Sequence, residues 1–267
     1  MPSEIFTHSG TRTAWKQVGE GKPLLILHGW GSNSAVMHPL ATRLKDIRTC
    51  YLIDLPGFGG SPEPPEPWSV DNYADLIEGF IKTMIPEGKT DLLVHSYGAR
   101  IALKLLARKE FSGSIDKVII TGGAGLKPKR ALSFYLKKYT AKTLKAPFLI
   151  LPGRLREKGL NHLRKTALWK KLGSSDYQKL SGVMRETFVK SVTEYLDGLL
   201  PHIEHEVLLI WGSDDTATPL EQAKRFEKGL KKSALVIMEN ASHYAFLDDE
   251  RQFEAIARAY LEPVQQD

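Results

Sequence analysis

Leu92-Leu93-Val94-His95-Ser96-Tyr97-Gly98 sets a short apolar run against an abrupt polar turn, and Ile101, Ala102, Leu105 and Leu106 then recur at helical spacing. A run too short for a helix, followed at once by one, reads as a strand buried on both faces that turns sharply into a crossover. Ser96 stands on that turn. A serine there projects its hydroxyl away from both elements, beside the backbone N–H of Tyr97.

Working outward, five further runs repeat the pattern. Residues 24–27 end in His28-Gly29-Trp30-Gly31, and 50–53 end in Asp54-Leu55-Pro56-Gly57-Phe58-Gly59-Gly60-Ser61. Residues 118–120 end in Thr121-Gly122-Gly123, 207–210 in Trp211-Gly212-Ser213-Asp214-Asp215, and 234–238 in Glu239-Asn240-Ala241-Ser242-His243. Helical patterns separate them at 70–85, 97–108, 220–230 and 249–261. Strand alternating with helix predicts an α/β fold with a mostly parallel sheet. Catalytic and binding groups in such sheets collect at the carboxyl ends of the strands, which is where the Gly, Ser, His and Asp clusters fall. The alternation stops after Gly125 and resumes near Val207. Between them Leu132, Tyr135, Leu136, Tyr139 and Thr143 share one helical face with lysines opposite, and Ser175-Asp176-Tyr177-Gln178 fits a capping box. The expected organisation is a core of residues 1–125 and 201–267, with a helical cap over 126–200.

A serine hydroxyl is a weak nucleophile and needs a base. His243 follows a strand at the same end of the sheet as Ser96, so its imidazole can take the proton and return it to a leaving group. Asp215, after another strand, can orient that imidazole; Asp214 competes for the role. A second oxyanion donor beside Tyr97 N–H is expected from the loop after Leu27, with Trp30 N–H the candidate. His28 and His95 read as structural hydrogen bonders, Asp54 as a loop anchor, and Asp248 and Asp249 as a helix start.

The remaining composition excludes several classes. With 267 residues, 42% hydrophobic and 25% charged, the chain is globular rather than disordered or fibrous. One cysteine, Cys50, excludes an intrachain disulfide and a Cys-rich zinc site. The start, MPSEIFTHSG, has no apolar core of signal-peptide length, and no apolar stretch reaches membrane-spanning length, so a cytoplasmic protein is expected. The net charge of +6 is uneven. Residues 127–190 hold 17 Lys and Arg against three acids, a net +14, which leaves −8 for the rest. No nucleic-acid motif accompanies this charge, so no specific nucleic-acid partner is expected. It is either a solvated surface or an attractor of anionic substrates or membrane surfaces.

In His28-Gly29-Trp30-Gly31, the stretch from Asp54 to Ser61, His95-Ser96-Tyr97-Gly98, Trp211-Gly212-x-x-Asp215-x-x-x-Pro219 and Ser242-His243, the chain resembles the α/β-hydrolase superfamily, and within it the capped serine hydrolases. The resemblance implies an α/β-hydrolase fold with a helical cap inserted after the sixth strand. It implies a triad of Ser96, Asp215 and His243, with the spacing to Pro219 favouring Asp215 over Asp214. It further implies an oxyanion hole from Trp30 and Tyr97, no metal or cofactor, and a small-molecule acyl substrate. The expected activity is hydrolysis of carboxylic esters. The alternatives are carbon–carbon bond hydrolysis with the same triad, or a non-catalytic ligand-binding role. Dehalogenases and epoxide hydrolases of the superfamily use an aspartate nucleophile, which Ser96 argues against. One position departs from the family's Gly-x-Ser-x-Gly elbow: Val94 stands where the first glycine is expected. Either the valine pushes on the following helix or the strand has lost a residue.

Overall fold

The structure, a computed structural model, describes residues 3–128, 132–166, 180 and 182–262. All six apolar runs are strands: β3 Lys22–Leu27, β4 Arg48–Ile53, β5 Thr90–His95, β6 Ile115–Thr121, β7 Glu206–Gly212 and β8 Lys232–Met238. Two more precede them, β1 Glu4–His8 and β2 Thr11–Val18, which pair as an antiparallel hairpin. Its two-residue turn, Ser9-Gly10, has positive φ at both positions, +48° and +80°. That is the twist a tight hairpin needs and glycine supplies readily. The sheet order is β1-β2-β4-β3-β5-β6-β7-β8, with β2 antiparallel to β4 and every pairing from β4 to β8 parallel.

Helices cover both faces, which is why the central strands read as unbroken apolar runs. Leu24 and Ile26 pack into one cluster with Met37, Leu40 and Leu44 of α1 (Ser34–Leu44) and with Phe253, Ala257 and Leu261 of the C-terminal helix Glu250–Leu261. On the other face, Phe80 of α2 (Val70–Met84) meets Phe6 and Trp15 edge-on at 5.2 and 5.4 Å. Beside α2, α3 (Tyr97–Leu106) comes so close to β3 that a Cβ on Gly98 would lie 2.9 Å from the Leu27 carbonyl oxygen. This close approach is the physical reason for glycine at that position.

The chain divides into two compact units, one of residues up to Lys127 and from Glu186 onward, the other Pro128–Arg185. The first unit thus takes in residues 126–127 and 186–200, which the periodicity assigned to the insertion. Buried polar groups explain the difference. Arg100 on α3 is only 6% exposed and donates from Nη1 to the carbonyls of Ser191 and Glu194, at 2.7 and 2.6 Å. A buried guanidinium must find acceptors, and the carbonyls at the end of the helix Gly182–Thr193 supply them. Tyr97 Oη shares a 2.9 Å hydrogen bond with Ser191 Oγ, and Trp68 N–H donates to Thr187 Oγ1 at 3.0 Å. The second unit holds α4 (Leu132–Leu149) and α5 (Gly153–Lys165). Tyr139 and Thr143, placed by periodicity on an inward face, are both exposed. The expected capping box at 175–178 lies outside the described residues.

At the amino ends of the strands, a buried charge fastens the C-terminal helix to the sheet. Asp91 is fully buried and accepts from Arg48 Nε at 3.0 Å, Lys22 Nζ at 2.8 Å and Lys117 N–H at 3.1 Å. Arg48 and Lys117 in turn donate to the carbonyls of Leu261 and Tyr260, which lack helical partners. Removing Asp91 leaves Arg48 uncompensated. Asp91→Ala should lower stability in urea denaturation by about 3–5 kcal/mol. Asp116→Ala, which removes a half-exposed partner of Lys22, should cost under about 1 kcal/mol. Equal losses in the two variants would contradict this account of the sheet's lower edge.

Candidate active site

The six parallel strands bring six loop starts to one edge of the sheet. At the centre, β5 passes into α3 through Ser96, whose backbone lies at φ +50°, ψ −107°. That left-handed conformation costs a non-glycine residue on the order of 1–3 kcal/mol, so the surroundings must hold it. They do so through the end of β6. Ser96 N–H donates to the Thr121 carbonyl at 3.1 Å, and the Ser96 carbonyl accepts from Ala99 and Ala124 N–H at 3.1 and 3.0 Å. Val94 is fully buried and pairs in regular register with Leu27 on β3 and Ile120 on β6. The pairing with β6 shifts register between Thr90 and Leu92 and is regular from Leu92 through His95, which lies opposite Thr121. The strand end therefore takes a valine in regular pairing with both neighbours.

Ser96 Oγ lies 2.9 Å from His243 Nε2, and His243 Nδ1 lies 2.8 Å from Asp215 Oδ2. Asp215 is nearly fully buried, and its other oxygen accepts from the N–H groups of Ala217 and Thr218 at 2.9 and 2.8 Å. Thr218 Oγ1 also donates to Asp215 Oδ2 at 2.8 Å. Burial pushes the Asp215 carboxyl up, but the hydrogen bonds from His243 and Thr218 outweigh it and hold the group below the usual carboxylate range. Asp214 is exposed; its side chain meets Ser213 Oγ and its N–H ties to the Ala241 carbonyl at 2.9 Å. The two loops can approach because residue 212 is glycine: a Cβ there would run into the carbonyls of Ala241 and Ser242. Asp248, read from sequence as part of a helix start, accepts from Ser242 N–H and Oγ, both at 2.6 Å. Asp249 alone caps the last helix, accepting from Gln252 N–H at 3.0 Å.

The other two histidines of the site have fixed structural partners. His28 Nε2 accepts from Leu55 N–H at 3.0 Å, so Nδ1 carries the proton and donates to the Gly29 carbonyl at 2.7 Å. Burial pushes its value down to about 4. His95 donates from Nε2 to the His243 carbonyl at 3.0 Å, and its ring sits 4.7 Å from the His243 ring. Burial, with the neighbouring His243, pushes its value down to about 3. Both imidazoles are neutral at neutral pH. His95 fixes the backbone that carries His243, a link that strand periodicity could not reveal. Asp54 anchors its loop by accepting from Ser34 N–H at 2.6 Å and Gly60 N–H at 2.8 Å. Thr218 is the residue that sequence reasoning passed over; its place just before Pro219 was the available signal.

Trp30 and Tyr97 stand side by side, their rings 5.1 Å apart in a T-shaped contact. Neither backbone N–H bonds to another described residue. Trp30 also meets Phe58 at 4.9 Å and Phe188 at 5.1 Å, so an aromatic cluster walls the loop after β3. Among the described residues, no three His, Cys, Asp or Glu side chains gather so as to hold a metal ion.

A buried carboxylate on an imidazole that meets a serine hydroxyl can draw the proton from that hydroxyl. The chain is 29% identical over 262 residues to a pimeloyl-[acyl-carrier protein] methyl ester esterase of Neisseria meningitidis, covering 91% of this chain and 78% of that one. It is 26% identical over 271 residues to the protein of the same name from Aeromonas hydrophila, covering 92% and 98%. Among solved structures, the esterase EaEST from Exiguobacterium antarcticum superposes with a TM-score of 0.72 at 22% identity, covering 98% of this chain and all of that one. The model of the family described as alpha/beta hydrolase fold matches residues 22–250, and the chain belongs to that family.

Proposed function

We propose that the protein is a serine hydrolase of carboxylic esters, with Ser96 as nucleophile, His243 as general base and then acid, and Asp215 orienting His243. The observation that carries this reading is the unbroken run of hydrogen bonds from Ser96 Oγ through His243 to Asp215, at 2.9 and 2.8 Å. Ser96 Oγ attacks the ester carbonyl carbon while His243 Nε2 takes the hydroxyl proton. The carbonyl oxygen becomes an oxyanion facing the N–H groups of Trp30 and Tyr97. The tetrahedral intermediate collapses by breaking the carbon–oxygen bond to the alcohol, which leaves with the proton from His243. Water then attacks the acyl-enzyme under the same base, releasing the acid and restoring Ser96. The names of the two curated relatives support small alkyl esters of an extended acyl chain as the first substrates to try.

A panel of p-nitrophenyl esters of increasing chain length, together with methyl esters of dicarboxylic acids, tests the reading. The wild type should turn over at least one class, and Ser96→Ala should lower kcat by on the order of 10⁶ while leaving the folded state intact. Wild-type rates from a pure Ser96→Ala sample would remove Ser96 from the chemistry. No turnover by a folded wild type on any ester would favour a ligand-binding role.

The two neighbouring aspartates should separate cleanly. Asp215→Asn loses the charge that fixes the imidazole tautomer, and kcat should fall by roughly 10⁴. Asp214→Asn keeps its backbone tie to Ala241 and should change kcat by only a few-fold. A larger loss in the Asp214 variant would exchange their roles.

Val94→Gly should leave kcat/KM within a few-fold of wild type, because the elbow is already closed around the valine. It should cost stability of about 2–4 kcal/mol through lost burial and added chain freedom. A many-fold rise in kcat/KM without loss of stability would show that the valine strains the turn after all.

A further inference from the structure

Four of the exposed large apolar side chains among the described residues, including the most exposed, Ile150, lie within seven positions of one another. In the turn between α4 and α5, Leu149, Ile150 and Leu151 are 52%, 86% and 40% exposed, and Leu155 is 58% exposed. Residues 146–153, Ala-Pro-Phe-Leu-Ile-Leu-Pro-Gly, run without a charge. Lys142 precedes this stretch and Arg154, Arg156 and Lys158 follow it, all four exposed. Glu157 is the only acid from residue 127 to residue 175.

The outward aim of these side chains follows from the local geometry. Phe148 packs inward against Gly159, where any Cβ would run into its ring. Leu151 N–H donates to the Phe148 carbonyl at 3.3 Å, and the N–H groups of Leu155 and Arg156 donate to the Pro152 carbonyl at 3.0 and 3.1 Å. The closed turn uses Phe148 for packing and leaves three consecutive aliphatic side chains pointing away. Scattered single apolar residues are ordinary on a protein surface; a contiguous set marks an interaction site.

We propose that the α4–α5 turn docks on an anionic lipid bilayer. Leu149, Ile150 and Leu151 seat at the boundary between headgroups and acyl chains, and Lys142, Arg154, Arg156 and Lys158 meet the lipid phosphates. An aliphatic tip ringed by cations suits that boundary, where apolar burial and attraction to anionic lipid act together. A protein interface of this exposure would instead be expected to centre on aromatic and Met anchors. No described helix is long and apolar enough to cross a membrane, so the attachment is peripheral.

The test uses the full chain and vesicles of equal parts phosphatidylcholine and phosphatidylglycerol, with pure phosphatidylcholine vesicles alongside. Co-sedimentation should be strong on the anionic vesicles at about 0.1 M salt, weak on the neutral ones, and reduced at about 1 M salt, where screening is nearly complete. The double variant Ile150→Ser, Leu151→Ser should partition at least about tenfold less, with an unchanged melting temperature because both residues are exposed. Arg154→Gln with Arg156→Gln and Lys158→Gln should do the same on anionic vesicles only. Ile150→Cys carrying an environment-sensitive fluorophore should brighten and shift to the blue on binding; buried Cys50 is shielded from the reagent. Absence of binding to anionic vesicles overturns the proposal, as does binding that the serine variant leaves intact. Capture of an acidic protein such as a purified acyl carrier protein, without vesicle binding, overturns it in favour of a protein partner.

Discussion

The hydrogen bond between His243 Nδ1 and Asp215 Oδ2 joins loops that leave two different strands, and the site depends on their meeting. They meet because β7 and β8 run parallel in register to their last pair, Gly212 opposite Met238. They meet closely because Gly212 leaves room for the carbonyls of Ala241 and Ser242. Once there, each partner is held from behind. Ala217 and Thr218 occupy the far oxygen of Asp215, and His95 holds the carbonyl of His243. The imidazole is thereby presented to Ser96 with one nitrogen already engaged. Such support lets a side chain act without first being ordered, and ordering is a cost that catalytic sites on mobile loops must meet at each turnover.

The buried parallel strands were legible because burial on both faces removes polar residues and leaves continuous apolar runs. The hairpin β1–β2 was not, since β1 alternates around a single inward residue, Phe6, and carries little apolar signal. Ser96, His243 and Asp215 could be named because each follows the end of an apolar run in a short polar motif, with a glycine beside Ser96 and Asp215. Thr218 fell on an unspecified position between Asp215 and Pro219, so its place just before the proline was its one signal. Arg100 illustrates the same limit. On a helix it reads as a surface cation, yet it is buried and captures the end of the helix Gly182–Thr193. With the Tyr97–Ser191 and Trp68–Thr187 hydrogen bonds, that contact ties residues 187–194 to the sheet unit, which begins again at Glu186, whereas the alternation of strands and helices put the boundary at residue 200.

Val94 shows how a departure from a family pattern should be weighed. The elbow needs a left-handed serine and a close helix, and Gly98 answers the second need directly, through its contact with the Leu27 carbonyl. Position 94 lies within the regular ladder of β5, where a β-branched side chain is at home. The chain also separates its charge from its proposed chemistry. The side chains of the candidate site belong to the sheet unit, while the surplus of Lys and Arg falls between residues 127 and 190. A change in the basic surface can therefore alter what the protein meets without altering how the hydroxyl is activated.

The most direct measurement is covalent: the native protein is treated with a fluorophosphonate, its intact mass is read, and the modified peptide is mapped. An activated hydroxyl beside an oxyanion site should take up one phosphonyl group per chain, on Ser96, and the Asp215→Asn protein should react far more slowly. A folded protein that takes up no label, or that carries it on another residue, would contradict the central claim that Asp215 and His243 activate Ser96.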